Sequence, residues 1–176
     1  MKLKVLLLTL LLSISMIGTS YADFQDGLIA YEKGNYSNAL KQWESSAYFG
    51  DTMAQYNIGV LYQNGEGVLK DHVKAMKWYR KSAYRGNSTA QLVIAKHKIT
   101  KALDLKRSGI GLEIMEFGEA RFWVEKLFNN KDDTNKVQAK ELWNEHGLSN
   151  YSVPEYIKRW EEEELSLFNK AKSWFD

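Results

Sequence analysis

Glu113, Glu116 and Glu119 recur at every third position, and Glu161 to Glu164 form an acidic run. Two carboxylates held a short distance apart across a sugar are the machinery of a glycosidase. Residues three apart drift around a helix, however, and a run of glutamates ordinarily makes a solvated face. His72, His97 and His146 share no i, i+3 or i+4 relation, and the chain has no cysteine, so its residues do not compose a metal site. No serine or threonine stands in a nucleophile-elbow setting. Asn64-Gly65-Glu66-Gly67 lacks the Lys-Ser/Thr of a phosphate loop and follows a helical pattern where a strand is needed. No catalytic, metal or cofactor-binding residue is expected, and the chain reads as a non-enzyme.

The elements that must position any site are helices. Residues 39–55, ALKQWESSAYFGDTMAQ, return thirty-six positions later as AMKWYRKSAYRGNSTAQ at 75–91, with eight identities in seventeen. Such a period belongs to helical solenoids, which offer surfaces more often than pockets. The spacing predicts a helix from Asp23 to about Lys33, carrying Phe24, Leu28 and Tyr31 on one face, and a turn at Gly34-Asn35. A second helix from about Ser37 sets Ala39, Leu40, Trp43, Ala47 and Tyr48 in a stripe, and Gly50 closes it. A third spans about 52–63. A fourth, capped by Asp71, carries Ala75, Trp78, Tyr79 and Ala83 and ends at Gly86.

These residues resemble a known repeat. Ala54, Ile58-Gly59, Tyr62, Gly65-x-Gly67-Val68, Asp71, Ala75, Trp78-Tyr79, Ala83 and Gly86 follow the pattern of one complete Sel-1-like repeat. Gly27 to Gly50 is similar to the tetratricopeptide-like helix pair that opens bacterial members. The resemblance implies an all-α, right-handed α/α solenoid of antiparallel helix pairs, ending in a C-terminal capping helix. It divides the chain into an opening pair (23–50), a full repeat (51–88), a degenerate repeat (89–129) and a cap (130–176). In the degenerate repeat Lys96, His97 and Lys98 stand where the family has Gly, an aliphatic residue and Tyr. Ser108-Gly109-Ile110-Gly111-Leu112 resembles Asn64-Gly65-Glu66-Gly67-Val68 forty-four residues on, so the helix before it is expected to run about eight residues longer. Ala120, Trp123 and Lys126 echo Ala75, Trp78 and Lys81. In the cap, Val137, Leu142 and Trp143 belong to a short helix over 136–146. A final helix after Ser152 would carry Val153, Ile157, Trp160, Leu167, Phe168, Ala171 and Phe175.

The first 22 residues read as a signal peptide: Lys2 and Lys4, the apolar run Val5 to Leu12, and Ser20-Tyr21-Ala22 before a cut ahead of Asp23. Export is therefore expected, to the periplasm or beyond the cell, with no integral membrane segment after cleavage. Without cysteine, packing alone must stabilise the fold. Charge is unevenly spread: residues 23–66 carry 2 basic and 6 acidic residues, 67–107 carry 11 and 2, and 108–176 carry 9 and 14. The balance of the whole argues against nucleic acid as a partner. What the family resemblance implies is a scaffold or adaptor in the bacterial envelope, binding a protein or peptide on its concave face. Tyr31, Tyr56, Val60, Gln63 and Lys96 are the expected contact residues there, by analogy with tetratricopeptide-like stacks. Two alternatives come from other classes. One is the β-lactamase or penicillin-binding activity assigned to cysteine-rich relatives, which this cysteine-free chain does not match. The other is attachment of the basic 67–107 segment to an anionic membrane. Homo-oligomerisation would enlarge the concave surface, and no residue pattern decides it.

Overall fold

The computed structural model describes residues 24–109, 111–132, 134–155, 157 and 159. The expected signal peptide, the Asp23 cap, the Glu161 to Glu164 run and most of the final helix lie outside them. Every regular element among the described residues is helical: α1 (24–32), α2 (Tyr36–Tyr48), α3 (Thr52–Asn64), α4 (His72–Tyr84), α5 (Ser88–Ser108), α6 (Glu113–Phe128), α7 (Lys136–Glu145) and a 3-10 turn (Leu148–Asn150). The chain forms two compact units that divide between Ala90 and Gln91, near the start of α5.

One device builds three corners of the first unit. Gly34, Gly50 and Gly86 take positive φ, at 73°, 93° and 96°, directly after α1, α2 and α4. Their N–H groups donate back to the carbonyls of Tyr31, Ala47 and Ala83 at 2.9, 3.1 and 3.0 Å. The next N–H, from Asn35, Asp51 or Asn87, donates to Ala30, Ser46 or Ser82 at 2.9, 3.1 and 3.2 Å. This pair of bonds satisfies carbonyls that a helix end leaves orphaned, and it needs the left-handed residue that glycine supplies most cheaply. The same Asn or Asp then caps the following helix. Its side-chain oxygen accepts from the N–H three residues on: Asn38 at 3.3 Å, Ala54 at 2.9 Å and Ala90 at 2.9 Å. A Gly-Asx dipeptide thus ends one helix and starts the next without a spacer.

Packing follows from small residues facing large ones. Ala39, Trp43, Ala47, Ala54, Ile58 and Leu61 form a closed core with Ala30 of α1. The Trp43 indole N–H donates to the Phe24 carbonyl at 3.2 Å, which ties α1 to α2. Ser82 Oγ donates to the Thr52 carbonyl at 2.6 Å, joining the end of α4 to the beginning of α3, so the two run antiparallel. Gly59 lets them close: a Cβ there would stand 2.6 Å from the ring of buried Tyr79. Tyr48, expected on the apolar stripe of α2, is instead exposed at the corner where the helix ends.

The second unit keeps the plan and lengthens it. Helix α5 has 21 residues against 13 for α3, as the later glycine loop requires. Gly109 and Gly111 repeat the positive φ of Gly65 and Gly67. Helix α6 is the centre of the unit, buried at Phe117, Ala120, Phe122, Trp123, Val124 and Leu127. Phe117 stacks on Tyr151 at 4.6 Å. Arg121 Nη1 donates to the Tyr151 carbonyl at 2.7 Å, which holds the segment after α7 against α6. Of the residues expected on the apolar side of α7, Leu142 and Trp143 are half-buried beside buried Ala139, with Trp143 packed 5.6 Å from Phe128, and Val137 alone is exposed. Ile157 is buried as expected.

Candidate functional site

Four of the five expected contact residues lie in the first unit. Tyr31, on α1, is already engaged. Its hydroxyl donates to Glu66 Oε2 at 3.1 Å, and its ring packs 5.2 Å from Tyr36 and 5.6 Å from Trp43. Burial and then the Glu66 hydrogen bond push its phenol above the usual range. Glu66, between the two loop glycines, thereby links the α3–α4 loop to α1; only its position in that loop would have suggested the pairing.

Tyr56, Val60 and Gln63 rise along α3 at spacings of four and three, which places them on one face. The Tyr56 ring lies 5.5 Å from that of Tyr79, and the Tyr79 hydroxyl donates to Gln63 Oε1 at 2.9 Å. Burial raises the Tyr56 phenol, and burial followed by the Tyr56 neighbour raises that of Tyr79. Both stay protonated at neutral pH, and the Tyr79 hydroxyl acts as a donor. The result is a half-buried ring, a half-buried aliphatic and an exposed amide whose position Tyr79 holds from below. Lys96 belongs to the second unit, where its Nζ donates to Gln138 Oε1 at 2.8 Å.

Of the glutamates at every third position, Glu116 and Glu119 belong to a buried ion cluster. Lys98 Nζ, its side chain 7% exposed, meets Glu116 Oε2 at 2.8 Å and Glu119 Oε2 at 2.7 Å. Lys101 also pairs with Glu116. Burial pushes the Glu116 carboxyl up, but the hydrogen bonds and charges of Lys101 and Lys98 outweigh it and hold the group below the usual range. A carboxylate kept ionised between the buried Lys98 and the exposed Lys101 has no proton to give, so this cluster locks α5 to α6. The pattern was visible in halves: lysines three apart on α5, glutamates three apart on α6. At the thirty-six-residue offset Ala95, fully buried, and not Lys96, takes the place of Gly59, while Lys98 stands at the Tyr62 position as expected. Among the described residues no group of three or more His, Cys, Asp or Glu side chains could hold a metal ion. None of the described helices is long and apolar enough to cross a membrane.

The Sel1 repeat family matches residues 52–87, the span of α3, its double-glycine loop and α4. This segment is a Sel1 repeat. Over 42 residues the chain is 48% identical to a putative sel1-like repeat-containing protein of Acanthamoeba polyphaga mimivirus, covering 24% of this chain and 7% of that one. It is 30% identical over 81 residues to an F-box protein of Arabidopsis thaliana, covering 46% and 22%. It is 38% identical over 53 residues to the DAP3-binding cell death enhancer 1 of Rattus norvegicus, covering 30% and 10%. The chain thus spans 22% or less of the length of these curated relatives. A solved Sel1 repeat protein from Oxalobacter formigenes superposes with a TM-score of 0.53 at 23% identity, over 71% of this chain and 49% of that one. The all-α helical-repeat fold therefore extends beyond the single matched Sel1 repeat. Proteins built of Sel1 repeats are in general non-enzymatic scaffolds for protein–protein interaction.

Proposed function

We propose that this chain is an exported adaptor or regulator of the cell envelope that binds an extended peptide or protein segment along α3. The observation that carries the reading is the Tyr56–Tyr79–Gln63 array. A ring and an amide are held in place by a buried phenol, so little side-chain entropy is lost when a partner covers them. The Tyr56 ring offers apolar area, and Gln63 offers an amide to a partner's backbone. The role of Tyr31 is to brace the α3–α4 loop through Glu66, leaving Tyr56, Val60 and Gln63 as the contact residues. Lys96 is a charge on the other unit and serves as a control.

Photo-crosslinking from position 56 in the native envelope, followed by mass spectrometry, tests the proposal. A defined partner is expected, bound about tenfold or more weakly by Tyr56→Ala, as for a moderate hot spot, and unaffected by Lys96→Glu. Equal binding by Tyr56→Ala and Gln63→Ala would remove α3 as the contact face. Turnover of nitrocefin by the purified chain at an ordinary enzymatic rate would overturn the scaffold reading itself.

A further inference from the structure

The outer face of α4 carries charge of one sign. Lys74, Lys77 and Lys81 follow at spacings of three and four, so they line one stripe of the helix, with Lys70 in the loop just before it, and all four are exposed. The stripe lies opposite Ala75, Tyr79, Ser82 and Ala83, the buried face of the helix. Between 68 and 85 six basic residues stand against one acid. That acid, Asp71, accepts from the Lys74 N–H at 2.9 Å as the helix cap, with Lys74 Nζ at 3.8 Å. A face that needs only hydration usually mixes the signs, as α2 does with Lys41 and Glu44.

Apolar groups flank both ends of the stripe. Leu69 is 92% and Val73 68% exposed beside Lys70 and Lys74. At the other end the Arg85 guanidinium lies against Gly50, where a Cβ would stand 2.3 Å from Nη1. Next to Gly50 come Tyr48 and Phe49, edge to face at 5.3 Å and 85% and 56% exposed.

We propose that the α4 face docks on an anionic lipid bilayer. Lysines along a stripe reach a plane of headgroup phosphates, while exposed aliphatic and aromatic side chains enter the headgroup–acyl boundary. An acidic polypeptide would match the lysines and leave Leu69, Val73 and the ring pair uncovered. The surface is confined to residues 48–49 and 69–85, all in the first unit, whereas the basic residues from Lys96 onward belong to the second. It lies on α4, apart from the α3 face assigned to a peptide, and does not depend on that assignment.

The test is co-sedimentation of the full chain, as the producing cell processes it, with vesicles of phosphatidylglycerol in phosphatidylcholine. The variants share one N-terminus, so any contribution of that end is equal in all. Binding is expected at low salt, falling as salt rises, with none to phosphatidylcholine alone. Each lysine of Lys74, Lys77 and Lys81 changed to Gln should lower the partition coefficient about fivefold, and the triple variant roughly a hundredfold. Leu69→Ser should weaken binding without changing its salt dependence, and at 92% exposure it leaves the fold intact. Circular dichroism of each variant controls for folding. Unchanged binding by the folded triple variant overturns the proposal. So does capture of polyglutamate together with failure to bind the vesicles, which would assign the stripe to an acidic protein.

Discussion

Helices α3 and α5 share Ala-Gln in their first turn, and the contrast between them is sharpest where Tyr62 is matched by Lys98. In the first unit Tyr62 sits on α3, half-buried, with Lys74 of α4 over its ring at 5.3 Å. In the second unit the corresponding residue of α5 is Lys98, buried between Glu116 and Glu119 of α6. The first pairing keeps its ammonium in water and lends only its stem and charge to an aromatic face. The second takes three charges out of water, which is tolerable only because each has a partner at hydrogen-bond distance. The same repeat architecture therefore accepts an aromatic joint or an ionic one. The ionic joint is the less forgiving, since each member is stranded if another is lost.

Lys98→Ala should break the contrast most severely. It leaves two carboxylates buried beside an empty site and is expected to cost about 3–5 kcal/mol. Tyr62→Ala should cost about half as much, because its ring is only half-buried. Urea denaturation with hydrogen exchange resolved by helix reads both. Replacing the cluster by Lys98→Met, Glu116→Leu and Glu119→Leu should restore most of the loss; if it does not, Lys98 acts through something other than its charge.

Acid sharpens the same comparison. The folded Glu116 carboxyl lies below its ordinary value of 4.5. Its contribution to stability is present above that value and disappears as pH falls through the lower folded one. Exchange protection in α6 should therefore fall in that acidic window before protection in α3. Simultaneous loss would mean that the ion cluster is not what holds α5 to α6.

Gly59→Ala gives the first unit the residue that the second has at Ala95. Its Cβ would stand 2.6 Å from the Tyr79 ring, and a loss of about 1–3 kcal/mol is expected. Thermal unfolding measures it, and an unchanged midpoint would show that Tyr79 yields. The smallest effect is at the corners. Gly86→Ala meets no atom within 4 Å and should cost about 1 kcal/mol from its φ of 96° alone. Asp51→Ala, which removes a helix cap, should cost about as much.

The helices of the first unit were legible because their causes are local. Apolar spacing, Asp71 as a cap, and Gly34, Gly50 and Gly86 as stops act within a few residues of one another. The longer α5 was legible for the same reason, through the displaced pair Gly109 and Gly111. The candidate site was half legible. Spacing placed Tyr56, Val60 and Gln63 on one face of α3, but it could not say that Tyr79 of α4 would hold Gln63. Nor could it say that Glu66 would take up the hydroxyl of Tyr31. Spacing reports which side chains share a face and is silent on what the next helix brings to it.

The sequence by itself determined the repeat, the helix lengths and the Gly-Asx corners, since hydrogen bonds between near neighbours specify those. The tertiary structure decided which charged faces are wet. Glu116 and Glu119 on α6, and Lys77 and Lys81 on α4, look alike as charges at helical spacing. The first two are buried because α5 offers Lys98 across the interface, and the others remain exposed. Burial of a charge depends on a partner from another element, and only the packed helices supply it.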